Sequence, residues 1–378
     1  MPPVIEDFEE SIRVIRQAPD VWVGAHPLRL PMKMARGVYG GNTIAQTLLV
    51  AIESTRSDDG ATYIPESFHM YFVKAGNWKI PMTYRVTFAS DDDGLARRYI
   101  EVVQQDNIIS TCLCSLRRPR AKGQPRNPQH EIQRQMTTVS KKYDPRQLSK
   151  TYHTGFVRNA YSKEFTDYTA CPEEKSLAPS DRWLTVWSGL HNVIDPKYAG
   201  REEELKVRVR SEEDESSVFE AGPAEVIPPQ YQKSFKEPVY NLIGLANISD
   251  SAFLTTQARV NHIPWNPTQD HPVDALDEGK DAGLLITHSL NILQIWHYQA
   301  MSLDHHIYFH VDSMEDDDQG FDIVKDWLCF NYSTKRVNNS RTLVRGFMYN
   351  QKGYCVATVI QEGLTFFNKN AMDERVKL

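Results

Sequence analysis

The chain has 378 residues, of which 40% are hydrophobic and 24% charged; 49 acidic residues against 43 basic ones leave a formal net charge of −6. That balance reads as globular, with enough length for two domains, and it lacks the basic footprint of a nucleic-acid binder. No apolar run approaches the roughly 18 residues of a membrane-spanning helix, and the acidic start, Met1 to Asp7, has no apolar core of a secretory signal.

Residues 8–19 read as a short amphipathic helix with Ile12, Val14 and Ile15 on its apolar side, and Val21-Trp22-Val23-Gly24 as a first strand. Met34 to Leu49 is a glycine-rich turn running into a helix. Gly40 and Gly41 permit close backbone approach, Asn42 or Thr43 can cap the helix start, and Ile44, Leu48, Leu49 and Ile52 recur at helical spacing. Ala45 and Ala51 keep this helix slim enough to sit inside other structure. A meander follows: Ser67–Val73 as a central strand, Met82–Phe88, then Arg98–Gln104 and Ile108–Leu116 around the hairpin signal Gln105-Asp106-Asn107.

From Arg117 to Lys150 the chain turns basic and proline-punctuated, as a linker or surface excursion would. The acidic runs Arg201–Glu204 and Ser211–Glu215 read as solvated, while Trp183, Trp187 and Trp265 imply ordered packing nearby. Ala282–Tyr298 has helical period, with Leu285, Leu293 and Trp296 apolar. Ser302–His310 is a strand whose His306-Ile307-Tyr308-Phe309 echoes His69-Met70-Tyr71-Phe72. Trp327–Tyr332, Thr342–Tyr349 and Tyr354–Ile360 form a second meander, turning at Gln351-Lys352-Gly353.

Self-similarity at this period predicts a duplicated module. The fold class is α+β: two long helices, each wrapped by a curved antiparallel sheet. The divisions expected are residues 1–120 as the N-terminal module, 121–180 as the linker or excursion, and 181–378 as the C-terminal module with an inserted acidic segment.

Five cysteines, Cys112, Cys114, Cys171, Cys329 and Cys355, have no disulfide rhythm and read as reduced thiols. His69, His305, His306 and His310 lie on strands, where alternation sends neighbours to opposite faces. They read as structural histidines, and no metal site is expected.

Taken jointly and in order, several motifs resemble the type II acyl-CoA thioesterases, double-hotdog enzymes of bacteria and peroxisomes. In the first half these are Arg36-Gly37, Gly40-Gly41 with Gln46, and Ser67-Phe68-His69 with Gly76; in the second, Leu303-Asp304-His305, Phe309-His310 and Gln361-Glu362-Gly363. The match covers roughly residues 30–118 and 280–366.

The resemblance implies hydrolysis of a fatty acyl-CoA by an activated water, with no cofactor. In the family an aspartate, a threonine or serine, and a glutamine of the second hotdog hold that water. Ser302 falls at the hydroxyl position and Gln361 at the glutamine position. The family aspartate, near the second long helix's start, aligns with Ile286-Thr287-His288-Ser289-Leu290-Asn291, where no carboxylate stands. The slot holds His288 or Ser289, which implies an altered triad with His288 as base; a histidine's reference pKa is about 6.5.

Gly40, Gly41, Asn42 and His69 are the expected substrate contacts; Asn42 stands where the family commonly carries glutamine. Alternatives are a recruited homologue that dehydrates, isomerises or cyclises a polyketide-like molecule, or a non-catalytic binder. The expected partner is acyl-CoA or a related small molecule. A homodimer is optional, because duplication already supplies the hotdog pair. Val376-Lys377-Leu378 distantly resembles the peroxisomal Ser-Lys-Leu address, so an intracellular location, peroxisome or cytoplasm, is expected.

Overall fold

The computed structural model describes residues 7–31, 36–56, 62–92, 94–121, 123–125, 132–152, 156–166, 171–190, 233–251, 254, 257–261 and 298–367. The first half contains α1 (Phe8–Ser11), β1 (Val14–Ala18), β2 (Val21–Gly24), α2 (Gly40–Glu53), β3 (Ile64–Phe72), β4 (Thr83–Asp92), β5 (Leu95–Gln104) and β6 (Asn107–Arg117). Next come α3 (Thr138–Lys142), β7 (Ser149–Tyr152), β8 (Val157–Tyr161), α4 (Lys163–Thr166), β9 (Leu184–Leu190), α5 (Val239–Ile248) and α6 (Gln257–Val260). The chain closes with β10 (Tyr298–Ser302), β11 (Asp304–Phe309), β12 (Leu328–Asn338), β13 (Arg341–Tyr349) and β14 (Cys355–Phe367).

The strands form one sheet in the order β1-β2-β4-β5-β6-β3-β11-β14-β13-β12-β9-β8-β7, with β10 also pairing β14. Read outward from the β3–β11 junction, the halves mirror each other. Strands β3, β6, β5, β4 and β2 correspond to β11, β14, β13, β12 and β9. Each half inserts its long helix between the same two strands: α2 between β2 and β3, α5 between β9 and β11.

The turns repeat as well. Gln105 and Asp106 have φ of 48° and 63°, and Asn339 and Ser340 have φ of 50° and 57°. Paired left-handed residues suit two-residue hairpins, whose twist then matches the flanking strands. At the junction β3 and β11 run antiparallel, with His69 opposite His306 and Phe68 opposite Ile307. This is the double-hotdog architecture the duplication implied.

Helix α2 is buried from Gly41 to Ile52. Its apolar side chains fill the concave face of the sheet, and each fully buried Ile or Leu contributes roughly 1.5–3 kcal/mol. Its glycines let α5 come close: a Cβ on Gly41 would overlap the Asn247 carbonyl oxygen. Across that contact Tyr39 donates its hydroxyl to Asn247 O at 3.0 Å, and Asn247 Nδ2 donates to Asn42 Oδ1 at 2.9 Å. The start of α2 therefore abuts the end of α5.

Three expectations are corrected, and a fourth lies almost wholly outside the described residues. The helix expected over residues 8–19 stops at Ser11, and Val14–Ala18 pairs with β2 instead. Tyr39, with no side-chain capping bond, occupies the cap of α2, while Asn42 and Thr43 lie within the helix. The stretch 121–180 contributes strands: β7 pairs β8, and β8 pairs β9. The helix expected at Ala282–Tyr298 falls almost wholly outside the described residues; its last position opens β10, and the helix that packs on α2 is α5. No helix among the described residues is long and apolar enough to cross a membrane.

Candidate functional site

Three polar side chains converge where α5 ends. Ser249 caps that helix and Asp250 follows it. Ser302 ends β10, opposite Gly363 of β14. Gln361, two residues earlier on β14, pairs with Val344 of β13 and is 1% exposed. Ser302 is brought to β14 by the β10–β14 ladder, and Gln361 points inward by strand alternation.

The contacts close a triangle. Gln361 Nε2 donates to Asp250 Oδ1 at 2.8 Å and to Ser302 Oγ at 2.6 Å, and Ser302 Oγ donates to Asp250 Oδ1 at 3.3 Å. The Gly41 backbone N–H faces the Asp250 carboxylate and favours its charged form. A Cβ on Gly40 would come within 2.6 Å of Asp250 Oδ2. Glycine there lets the positive end of α2 face the carboxylate directly, an arrangement that favours negative charge.

Burial dominates the electrostatics of Asp250 and pushes its carboxyl up to about 6, against the opposing pull of the Gln361, Ser302 and Gly41 donors. The result is a carboxylate that can take a proton near neutrality. His305 lies behind it, fully buried, with Nε2 2.8 Å from Ser249 Oγ and Nδ1 3.8 Å from Asp250 Oδ1. Burial is the main cause of its pKa falling to about 3, so the ring is neutral.

Of the residues singled out from sequence, Ser302 and Gln361 meet each other, and Gly40 and Gly41 face the carboxylate they meet. Asn42 is one step removed, bonded to Asn247. His69 lies elsewhere, its Nδ1 3.0 Å from His306 Nδ1, while its neighbours Phe68 and Met70 point into the core. His288 and Ser289 lie outside the described residues.

Asp250 itself was missed. The carboxylate beside Ser302 and Gln361 comes from outside the Ile286–Asn291 stretch, with Asp250 Oδ1 2.8 Å from Gln361 Nε2. Asp250 directly follows Ser249, the C-cap of α5, and Ser54 stands at the same place after α2.

Comparison with known proteins gives consistent results. Residues 233–365 match the family model "Acyl-CoA thioesterase C-terminal domain". The chain is 23% identical to the peroxisomal acyl-coenzyme A thioester hydrolase 1 of Saccharomyces cerevisiae, over 96% of this chain and 95% of that one. A shorter stretch, 26% of this chain and 28% of the relative, is 30% identical to human acyl-coenzyme A thioesterase 8. Among solved structures it is similar to the acyl-CoA thioesterase II TesB2 of Mycobacterium marinum, with TM-score 0.56, 18% identity, and 96% and 99% of the two chains covered. A hot dog protein of unknown function from Alicyclobacillus acidocaldarius gives TM-score 0.54 at 10% identity, covering 96% and 97%. At these identities the structural likeness concerns the fold.

Proposed function

We propose that this chain, a relative of the type II acyl-CoA thioesterases with their double-hotdog fold, hydrolyses acyl-CoA thioesters through a water activated by Asp250. The observation that carries the reading is the Asp250–Ser302–Gln361 triangle at the end of the second hotdog helix. It unites a carboxylate, a hydroxyl and an amide of the kinds the family uses.

In this reading Asp250 accepts a proton as the water oxygen attacks the thioester carbonyl carbon. Ser302 and the Gln361 amide aim the water. The first turn of α2, opened by Gly40 and Gly41, offers its positive end to the charge developing on the carbonyl oxygen. The tetrahedral intermediate collapses, the C–S bond breaks, and the leaving thiolate takes the proton back from Asp250. The products are a free acid and CoA, with no acyl-enzyme formed. Asp250 supplies the base in this scheme, so His288 is not needed for it.

The likeness to a yeast enzyme named as peroxisomal supports an intracellular setting, peroxisomal or cytoplasmic. Duplication within one chain supplies the hotdog pair, so the scheme needs no second copy.

The test is thiol release from acyl-CoAs of several chain lengths. Wild type should release thiol, and Asp250→Asn should lose activity by about 10²–10⁴-fold, the usual scale for a general base. His288→Ala should retain the wild-type rate. Full-rate hydrolysis by Asp250→Asn would overturn the assignment, as would the absence of cleavage of any CoA ester by wild type.

A further inference from the structure

A cleft of about 410 Å³ lies apart from this cluster, lined by Ile132, Arg134, Trp183, Lys335, Arg345 and Phe347. Its floor is aromatic: Trp183 and Phe347 have ring centroids 6.0 Å apart and planes tilted by 30°. Its walls are cationic. Arg134 Cζ sits 3.8 Å from the Trp183 ring centroid, Lys335 Nζ 4.9 Å from the same centroid, and Arg345 Cζ 4.8 Å from that of Phe347.

The cations are held in place. Arg134 belongs to a segment fixed to the sheet, where Tyr349 donates its hydroxyl to Arg134 O at 3.0 Å and Thr137 N donates to Asn331 Oδ1 at 3.0 Å. Lys335 Nζ donates to Ser180 O at 2.9 Å. Among the described residues none of the three forms an ion pair, although all three are charged and close. Burial, with Arg134 and Arg345, works against the positive charge of Lys335, and Asp181 works for it.

Three convergent cations around an aromatic floor repel one another until an anion enters. Arginine suits phosphate because its planar fork can donate two hydrogen bonds at once. The aromatic floor suits a planar base, and the volume falls in the range of small-ligand sites, roughly 300–1,000 Å³. We propose that this cleft binds a phosphorylated nucleotide.

The cleft lies on the other face of the sheet from the reaction centre. Gln361 points inward opposite Val344, while the next residue along β13, Arg345, is exposed on the outer face. Two sources supply such a ligand: the adenosine 3′,5′-bisphosphate end of a CoA ester, and a free nucleotide. The proposal covers both sources and does not depend on hydrolysis at Asp250.

The test is titration calorimetry of the full chain with adenosine 3′,5′-bisphosphate, ATP and inorganic phosphate at low and high salt. Wild type should bind the nucleotides saturably, more tightly than phosphate alone and less tightly at high salt. Lys335→Ala/Arg345→Ala should weaken nucleotide binding on the order of tenfold or more, with unchanged circular dichroism and melting. No saturable nucleotide binding by wild type, or equal affinity in the variant, would overturn the proposal.

Kinetics with acyl-CoA and with the matching acyl-pantetheine, which lacks the nucleotide, then separate the sources. A KM raised for acyl-CoA alone identifies the CoA end. Unchanged KM for both, with nucleotide binding lost, identifies a separate nucleotide site.

Discussion

A carboxylate whose pKa is lifted to about 6 by burial costs the fold stability whenever it is charged, and Asp250 is in that position. Its folded-state pKa exceeds the reference 3.8, so its favourable contribution is complete below pH 3.8 and is lost as pH rises through about 6. Asp250→Asn should therefore melt higher than wild type at pH 8, by an amount on the order of 3 kcal/mol or less, and gain nothing at pH 3.5. Melting curves at the two pH values check this; an equal loss at both would mean the carboxylate's hydrogen bonds outweigh its charge. Activity follows the opposite limb, because the base must be ionised: kcat/KM should rise with pH through about 6. Removing the Gln361 donor destabilises the carboxylate form. Gln361→Ala should thus shift the acid limb upward and lower kcat by about 10²–10³-fold, read from a pH–rate profile beside wild type.

The same site depends on how closely two helices approach. A Cβ on Gly41 would meet backbone, the Asn247 carbonyl, which cannot swing away as a side chain would. Gly41→Ala should cost about 1–3 kcal/mol, as overpacking does, and should reduce kcat further by displacing the Gly41 N–H from Asp250. Urea denaturation and steady-state kinetics together test this; an unchanged urea midpoint would show that the helices can slide apart freely. The glycine pair, helix α2 and both meanders were legible because each obeys one strong local rule: a turn residue, a 3.6-residue stripe, or alternation about a hairpin.

Helix α5 was not legible, for a physical reason. Nine of its ten residues are buried, so it carries no polar face to set off an apolar one. Its Asn241 and Asn247 are spent on tertiary bonds, to Ile323 N and Asn42. Ala282–Tyr298 offers a cleaner apolar stripe. β8 hid in the same way: its Arg158 and Asn159 look like surface residues but are buried, Arg158 donating to the Val324 and Asp326 carbonyls and Asn159 accepting from Ser188. Ser302 and Gln361 were found through motif resemblance alone, since nothing in local periodicity marks either one. The mirrored order of strands about the β3–β11 junction, together with its packing on α2, identifies α5 as the partner of α2.

That junction also sets how the whole molecule should respond to acid. β3 and β11 provide the strand pairing that joins the halves of the sheet, and histidines are concentrated there. Burial takes His305 down to about 3 and also lowers His69, which His306 opposes as well. A histidine depressed in the folded state is protonated first in the unfolded chain. Its contribution is complete above the unfolded value near 6.5 and is lost as pH falls toward the folded one. Burial depresses His305 and His69 and raises Asp250, so as pH falls the two histidines subtract stability and the one carboxylate adds it. The expected outcome is that the histidines prevail and stability falls between pH 6.5 and 4, although protonating Asp250 alone would raise it. His305→Gln removes the largest of these contributions and should flatten the dependence, while losing some stability at pH 7 with the Ser249 contact. Melting temperature measured across that interval decides it. A parallel wild-type and variant dependence would move the acid sensitivity away from the seam and onto carboxylates elsewhere in the fold.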